Sequence, residues 1–273
     1  MTIANWLIDS MIRLQQADIP NGRTDALVLL ADLFGKDKSW VHTHPEHVLD
    51  DLQIRELEYK LTKRLSHTPL AYIRGFKDFY GRRFMVNSRV LVPRPESESF
   101  IELVKTTDLE MPRIADIGTG SGCLGVTVAL EIPEATVHLY DIDADALGVA
   151  NHNAEQYGLR LEYYLSDLLT DLAGGPYQIL LANLPYVPQN LVTSPEIEQE
   201  PALALFSGLD GLNHYRIFWK QVRALRPKPR YVLTESLEKQ HGSVETLAKN
   251  AGYKLMRSDV LVQLYTINKG RTP

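Results

Sequence analysis

The first 75 residues carry apolar positions at helical spacing. Segments 3–14, 25–34 and 53–66 each place their leucine, isoleucine and other apolar residues three or four apart, which predicts three amphipathic helices. Thr24 is the expected N-cap of the second helix, because a threonine side chain can accept from the first free backbone N–H groups. No strand pattern interrupts this stretch, so residues 1–75 are expected to form a small helical domain.

The pattern changes between residues 76 and 92. Two short β-prone runs lie on either side of Gly81, which predicts a β-hairpin with a tight turn at that glycine. The segment "PRPESE", residues 93–98, then combines proline with acidic residues. This composition is typical of the first turn of a helix.

Strands and helices alternate from residue 93 to the C-terminus. Strands are expected at 113–117, 136–142, 161–165, 177–183, 230–235, 253–257 and 260–267. Helices are expected mainly at 121–131, 143–157, 212–225 and 238–250. Such alternation predicts an α/β fold with an open, mainly parallel sheet and helices on both faces. Ligands of such sheets bind at the carboxyl ends of the strands.

Composition and charge narrow the class of protein. The formal charge of -5 argues against a surface dedicated to wrapping nucleic acid. No apolar stretch approaches the roughly 20 residues of a membrane span, and the single cysteine, Cys123, is consistent with a reducing cytoplasm. His42, His44 and His47 have no matching set of cysteines or acidic residues nearby, so no metal site is expected. We expect a cytoplasmic protein without a membrane or stable nucleic-acid partner, with a monomer as the working assumption.

A glycine-rich segment, "ADIGTGSGCLG", follows the first strand of the alternating region. Gly118, Gly120 and Gly122, with Thr119 and Ser121 between them, allow the backbone to turn sharply and to approach a bound ligand closely. The string also satisfies G-x-G-x-x-G, so a nicotinamide cofactor is an alternative. A phosphate-binding loop is excluded because the required lysine is absent.

Acidic residues follow the first three strands of this region. Asp116 precedes the glycines, Asp141 ends the second strand, and Asp167 follows the third beside Leu168. Asp141, at the end of the second strand, can accept hydrogen bonds from both hydroxyls of a ribose. Asp167 could accept a hydrogen bond from an adenine amino group while Leu168 covers the adenine ring. This set favours an adenosine-bearing ligand without phosphates, namely S-adenosylmethionine.

The fourth strand ends in "ANLPYV", which places four residues beside that ligand. An amide or aromatic amine nitrogen is a poor nucleophile because its lone pair is delocalised. Its two hydrogens could be held by the side-chain oxygen of Asn183 and the carbonyl of Leu184, which turns the nitrogen toward a methyl group. Pro185 would stiffen the turn and Tyr186 would provide a flat wall for a planar substrate. A plain turn is the alternative interpretation.

Six motifs occur in an order and spacing that resemble the HemK/PrmC family: "LVPRPESE", "DIGTGSG", "LYDID", "SDLL", "NLPYV" and "EPALALFSGLDGL". The resemblance runs from about Pro69 to the C-terminus, with a helical N-terminal domain of the expected size. It implies a class I S-adenosylmethionine-dependent methyltransferase. That family methylates the side-chain N5 of glutamine in the Gly-Gly-Gln motif of peptide chain release factors, releasing S-adenosylhomocysteine.

The resemblance also implies residue roles. The glycine loop from Gly118 to Gly122, Asp141, Leu168 beside Asp167, and Asn183 would line the cofactor site. The turn from Asn183 to Tyr186 would hold the glutamine amide as the catalytic element, and Arg94 and Glu96 would brace the roof.

Three regions follow from the same resemblance. Residues 1–75 would bind the release factor, residues 76–92 would form a linker hairpin, and residues 93–273 would carry methyl transfer.

Two departures from the family pattern affect the site. Leu184 replaces the first proline of N-P-P-Y, which keeps the carbonyl oxygen but adds an N–H that is expected to loosen the turn. In "LTESLEKQHG" Glu235 and Gln240 are retained, whereas one glycine is lost and another, Gly242, comes one place late. We therefore expect an altered loop there.

Several alternatives remain open from the sequence. A sister enzyme could modify a glutamine of a ribosomal protein, and an adenine N6 methyltransferase acting on rRNA or DNA could use "NLPY" with the same chemistry. A cytosine C5 methyltransferase would need a nucleophilic cysteine, and Cys123 is misplaced for that role. A dehydrogenase and a non-catalytic binding module are the remaining candidates.

Overall fold

The computed structural model describes residues 1–268. The chain divides into two compact units, one formed by Met1–Phe76 with Thr193–Gln199 and the other by the remaining described residues. None of the helices within residues 1–268 combines the length and apolarity that a membrane crossing needs.

The first unit is built from five helices around an apolar cluster that includes Trp6 and Leu30. The helices are α1 (Ile3–Gln16), α2 (Gly22–Phe34), α3 (Lys38–Thr43), α4 (Asp51–Leu65) and α5 (Leu70–Arg74). The predicted cap at Thr24 is wrong, because α2 begins at Gly22. A β-carbon at Gly22 would lie 2.7 Å from the Cβ of Leu14, so close packing of α1 on α2 depends on that glycine.

A hairpin follows, with strands β1 (Phe76–Phe79) and β2 (Arg82–Met85). Tyr80 and Gly81 both have positive φ, 50° and 70°, as a two-residue type I′ turn requires. The structure therefore confirms the predicted turn at Gly81.

Seven strands form the main sheet. They are β3 (Arg113–Ile117), β4 (Thr136–Asp141), β5 (Glu162–Leu165), β6 (Ile179–Ala182), β7 (Tyr231–Glu235), β8 (Tyr253–Asp259) and β9 (Val262–Ile267). Their order is β5-β4-β3-β6-β7-β9-β8; β3 to β7 are parallel, and β9 is antiparallel to both of its neighbours. This confirms the predicted open, mainly parallel sheet.

Helices cover both faces of the sheet, as predicted. They are α6 (Ser99–Lys105), α7 (Cys123–Glu131), α8 (Ala144–Gln156), α9 (Ala202–Leu205), α10 (Asn213–Ala224) and α11 (His241–Ala251). Alternate residues of β6 belong to two separate apolar clusters, Leu181 to one and Leu180 to the other. Both faces of β6 are therefore buried, as in a sheet between two helical layers.

The direction of strand addition reverses beside β3. The chain passes from β3 outward to β4 and β5, and then returns to place β6 on the other side of β3. A crevice opens at such a switch point, at the carboxyl ends of the strands. The candidate site is located there.

Candidate active site

The glycine loop connects β3 to α7 by a turn that two glycines permit. Gly118 and Gly120 adopt positive φ, 71° and 54°, which side-chain-bearing residues rarely adopt. The N–H groups of Gly118 and Thr119 both donate to the carbonyl oxygen of Tyr140 at 2.9 Å. The loop is thereby fixed to the end of the neighbouring strand β4.

Asp116 supports the loop from within the core, at 1% exposure. Its Oδ2 accepts from the Thr119 hydroxyl at 2.6 Å and from the Gly125 N–H at 3.0 Å. Its Oδ1 has no hydrogen-bond partner among residues 1–268. Burial raises the pKa of this carboxyl to about 6, so the ionised form of Asp116 lowers the stability of the fold. Its hydrogen bonds nevertheless fix the shape of the loop.

Asp141 ends β4 and also contacts the loop. Its Oδ2 accepts from the Gly120 N–H at 2.8 Å, and its Oδ1 from the Asp143 N–H at 3.0 Å. Burial raises the pKa of Asp141, whereas these backbone hydrogen bonds oppose the rise. A carboxylate has about four acceptor positions, so two remain for a ligand.

Asp167 and Leu168 follow β5. Asp167 is exposed, whereas Leu168 is buried and has a φ of 53°. Half-buried His214 lines the same cleft, and its Nδ1 lies 2.7 Å from the Ser207 hydroxyl. Burial lowers the pKa of His214, which favours a neutral ring. Nothing in the sequence pattern indicated His214.

The turn after β6 is anchored through side chains. Nδ2 of Asn183 donates to the Ser97 hydroxyl at 3.0 Å, and this hydroxyl donates to Oε2 of Glu235 at 2.6 Å. The Tyr186 hydroxyl donates to Oε1 of Glu235 at 2.8 Å. Glu235 is 1% exposed, so a buried carboxylate lies behind both polar side chains of the turn.

The backbone of the turn is held by Tyr215. The N–H of Leu184 donates to the Tyr215 hydroxyl at 3.4 Å, and that hydroxyl lies within hydrogen-bond distance of two carbonyl oxygens, of Glu235 at 2.5 Å and of Ala182 at 2.9 Å. The extra N–H that leucine brings in place of proline therefore has an acceptor. This hydrogen bond opposes the loosening of the turn that is expected from the loss of proline.

Arg94 pairs with Glu200 at the margin of the cleft. Oε2 of Glu200 also accepts from the Val92 N–H at 2.9 Å, which ties residues 92–94 to the segment "EPALALF". Arg94 lines the cleft, as a bracing residue should. Glu96 is exposed and does not line it.

Most of the predicted site residues line a single cleft. Ten of the twelve predicted residues line it: Gly118, Thr119, Gly120, Ser121, Asp141, Asp167, Leu168, Asn183, Leu184 and Pro185. The other two, Gly122 and Tyr186, do not. Gly122 precedes α7 with a φ of 78°, and a β-carbon there would lie 3.0 Å from the Cβ of Ala150. Gly122 therefore packs closely against α8 and does not reach the cleft.

Sequence reasoning missed the supporting residues. Ser97 and Glu200 lie within "PRPESE" and "EPALALF", and Glu235 was noted only for loop shape. The only indication of these supporting residues in the sequence was that they are polar residues within distinctive motifs. Their hydrogen-bond partners, however, lie 86 to 138 residues away in the chain.

Comparison with known families gives two matches. The model described as the PrmC N-terminal domain matches residues 5–75. The model of the methyltransferase small domain matches residues 96–257, more than half of the chain.

Curated relatives agree with these matches. A release factor glutamine methyltransferase of Koribacter versatilis is 34% identical over 78% of this chain and 78% of its own. One of Bacteroides thetaiotaomicron is 34% identical over 77% and 78%. A bifunctional methyltransferase of Rickettsia bellii is 29% identical over 92% of this chain, which spans about half (51%) of that relative.

Solved structures share the fold at low sequence identity. A methyltransferase of Pyrococcus furiosus has a TM-score of 0.51 at 14% identity, covering 80% of this chain and 99% of its own. The hMettl16 catalytic domain in complex with a 3′UTR hairpin has a TM-score of 0.53 at 13% identity, covering 82% and 84%. At these identities the likeness is one of fold alone.

Proposed function

This chain belongs to the family of release factor glutamine methyltransferases, and we propose that it methylates N5 of the glutamine in the Gly-Gly-Gln motif of peptide chain release factors, with S-adenosylmethionine as the methyl donor. The observation that carries the proposal is that Asn183 and the glycine loop line the same cleft. The residue that we propose to hold the amide and the loop that we propose to bind the nucleoside therefore lie in one cleft.

The side chains of the cleft fit the donor. Three acids, Asp141, Asp143 and Asp167, line it, and the glycine loop carries no lysine or arginine. The two arginines of the lining, Arg89 and Arg94, each pair with a carboxylate, of Asp145 and Glu200 respectively. This chemistry suits a ligand with ribose hydroxyls and a positive charge but no phosphate. Asp141 would accept the ribose hydroxyls, and Asp167 with Leu168 would hold the adenine. S-adenosylmethionine, when bound, supplies an electrophilic methyl group on a sulfonium ion.

The turn after β6 would orient the substrate. The side-chain oxygen of Asn183 accepts one hydrogen of the glutamine amide, and the carbonyl of Leu184 accepts the other. Both oxygens would offset the positive charge that develops on the nitrogen as its lone pair forms the new bond to the methyl carbon and the carbon–sulfur bond breaks, with S-adenosylhomocysteine as the leaving group. The surplus N–H proton then leaves to water, so no strong base is required. Tyr186 does not line the cleft, so in place of a wall for the planar amide it would fix the end of the turn through its hydrogen bond to Glu235.

The helical region would provide the contact with the protein substrate. We propose residues 1–75 and the hairpin within 76–92 as the release-factor-binding part and residues 93–273 as the methyltransferase domain. Because release factors act during translation, the enzyme would work in the cytoplasm, without a stable nucleic-acid partner and as a monomer.

The test is methylation of release factors, ribosomal proteins, rRNA and DNA side by side with labelled S-adenosylmethionine. We expect one methyl group on the glutamine of the Gly-Gly-Gln peptide, located by tryptic mass spectrometry. An unmodified glutamine in a preparation that binds S-adenosylmethionine would overturn the proposal. Label on a ribosomal protein or on bare nucleic acid instead would assign the corresponding alternative.

A further inference from the structure

A relay of hydrogen bonds fixes how the Asn183 amide is oriented. The relay runs from Asn183 Nδ2 through the Ser97 hydroxyl to Glu235, over 3.0 and 2.6 Å. Nitrogen and oxygen of a side-chain amide have the same shape, so the direction of the amide must come from its partners.

The number of hydrogens that each group can donate determines which way the Asn183 amide faces. A hydroxyl has one hydrogen, and an ionised carboxylate can only accept. The Ser97 hydrogen therefore goes to Glu235, and Ser97 can only accept from its other neighbour. Nδ2 of Asn183 must face Ser97, which leaves Oδ1 as the atom available to the substrate.

Glu235 accepts at both of its oxygens, since the Tyr186 hydroxyl donates to Oε1 at 2.8 Å. Burial raises the pKa of Glu235, whereas hydrogen bonds from the side chains of Ser97, Tyr186 and Asn183 favour its ionised form. The other titratable groups that influence Glu235 or this pair are Glu96, Cys123, Tyr215 and Arg94. Within residues 1–268 no lysine or arginine forms an ion pair with Glu235, so its hydroxyl donors are its main stabilising partners.

We propose that Glu235, acting through Ser97, is the positioning residue that presents the Asn183 oxygen to the substrate amide. The inference rests on the proposed function for its substrate. A neutral partner at position 235 could donate to Ser97, which would then donate to Asn183 Oδ1. The amide would turn and offer hydrogens to a substrate that also offers hydrogens.

Three variants and one control test this role. Ser97→Ala and Glu235→Gln should lower kcat by about 10- to 100-fold, the range found when the outer partner of a functional side chain is removed. The Kd of S-adenosylmethionine should stay unchanged. Ser97→Thr, which retains the hydroxyl, should restore most of the rate. Ser236→Ala is the matched control, because Ser236 is equally buried next to Glu235, and its hydroxyl has no hydrogen-bond partner among residues 1–268.

A second readout does not depend on activity. The side-chain NH₂ signals of Asn183, identified by their loss in Asn183→Ala, should show one exchange-protected hydrogen in the parent and in Ser236→Ala. That protection should disappear in Ser97→Ala and Glu235→Gln. Unchanged signals in both variants, or an unchanged kcat, would overturn the positioning role. A parent enzyme that shows the protected hydrogen but leaves release factors unmodified would instead overturn the proposed function.

Discussion

The side-chain amide of Gln240 donates to the carbonyl oxygen of Tyr186 at 2.8 Å. The same nitrogen donates to the carbonyl of Asp210 at 2.8 Å, while Oε1 accepts from the Leu237 N–H at 2.9 Å. One buried side chain thus joins the turn from Asn183 to Tyr186, the loop before α10 and the loop after β7. Leu237, which stands where the family has glycine, has a φ of -59°, so this position requires no glycine.

Gln240→Ala should loosen the turn from Asn183 to Tyr186. The substitution leaves the Tyr186 and Asp210 carbonyls without their donor, and an unsatisfied buried polar group costs roughly 1–3 kcal/mol. We expect a lower free energy of unfolding in urea and a higher KM for the release factor. The exposed Gln189→Ala, from the loop that follows the turn, is the control. Equal stability of the two variants would contradict this role of Gln240.

Gly211→Ala should be severely destabilising. Gly211 has a φ of 78°, and a β-carbon there would lie 2.1 Å from the Tyr186 carbonyl oxygen, so the loop or the turn must move. Gly242→Ala is the contrasting variant, because Gly242 lies in α11 with nothing within 4 Å of the added carbon. Replacing a helical glycine by alanine stabilises by about 0.5–1 kcal/mol. Thermal unfolding should therefore move in opposite directions for the two variants.

Asn183→Ala should abolish methyl transfer and preserve cofactor binding. Removing one preorganised polar group that stabilises developing charge typically costs on the order of 10²- to 10³-fold in kcat. Single-turnover assays should show this loss, and calorimetry should give an unchanged Kd for S-adenosylmethionine. Asn151→Ala, on the surface of α8, is the control. A normal rate in Asn183→Ala would refute the amide-holding role.

Asp116→Asn should change how stability depends on pH. The folded pKa of Asp116, about 6, lies above the unfolded value of about 3.9. Its favourable contribution is therefore complete below the unfolded pKa and lost as pH rises through about 6. The loss amounts to about 3 kcal/mol, and the variant lacks this titration.

The measurement is urea unfolding of parent and variant between about pH 4 and pH 8. The stability of Asp116→Asn relative to the parent should increase across that interval. A difference that stays constant with pH would show that Asp116 does not titrate in the folded protein within this range.

The sequence predicted the strands well because buried parallel strands are short apolar runs with abrupt ends. Strand β3 matches its predicted range, and β6 is shorter than expected, at Ile179–Ala182. The helix α3 was not predicted. It has only six residues, although the side chain of Asp37 caps it by accepting from the Trp40 N–H at 2.8 Å. Short helices carry too few apolar positions to show a period.

The candidate site also contains residues that the sequence could predict and residues that it could not. Residues at strand ends, such as Asp141 and Asn183, could be grouped from the sequence because parallel strands bring their carboxyl ends to one edge. The pairing of Ser97 with Glu235 could not, because 138 positions separate them and only the folded sheet brings them together. Predicting this contact requires knowing where residues 95–98, just before α6, lie relative to the carboxyl end of β7.

Tyr215 holds the backbone at the end of β6 in place. Its hydroxyl contacts Ala182 and the N–H of Leu184 at the end of β6. The same hydroxyl contacts the carbonyl oxygen of Glu235 at 2.5 Å and the Glu235 N–H at 3.2 Å, at the end of β7. Rigidity of the turn from Asn183 to Tyr186 is therefore supplied by a residue of α10, outside the turn itself. A family member can lose the proline at the second position of the motif and still aim the same carbonyl oxygen, provided that a phenol from α10 remains behind it.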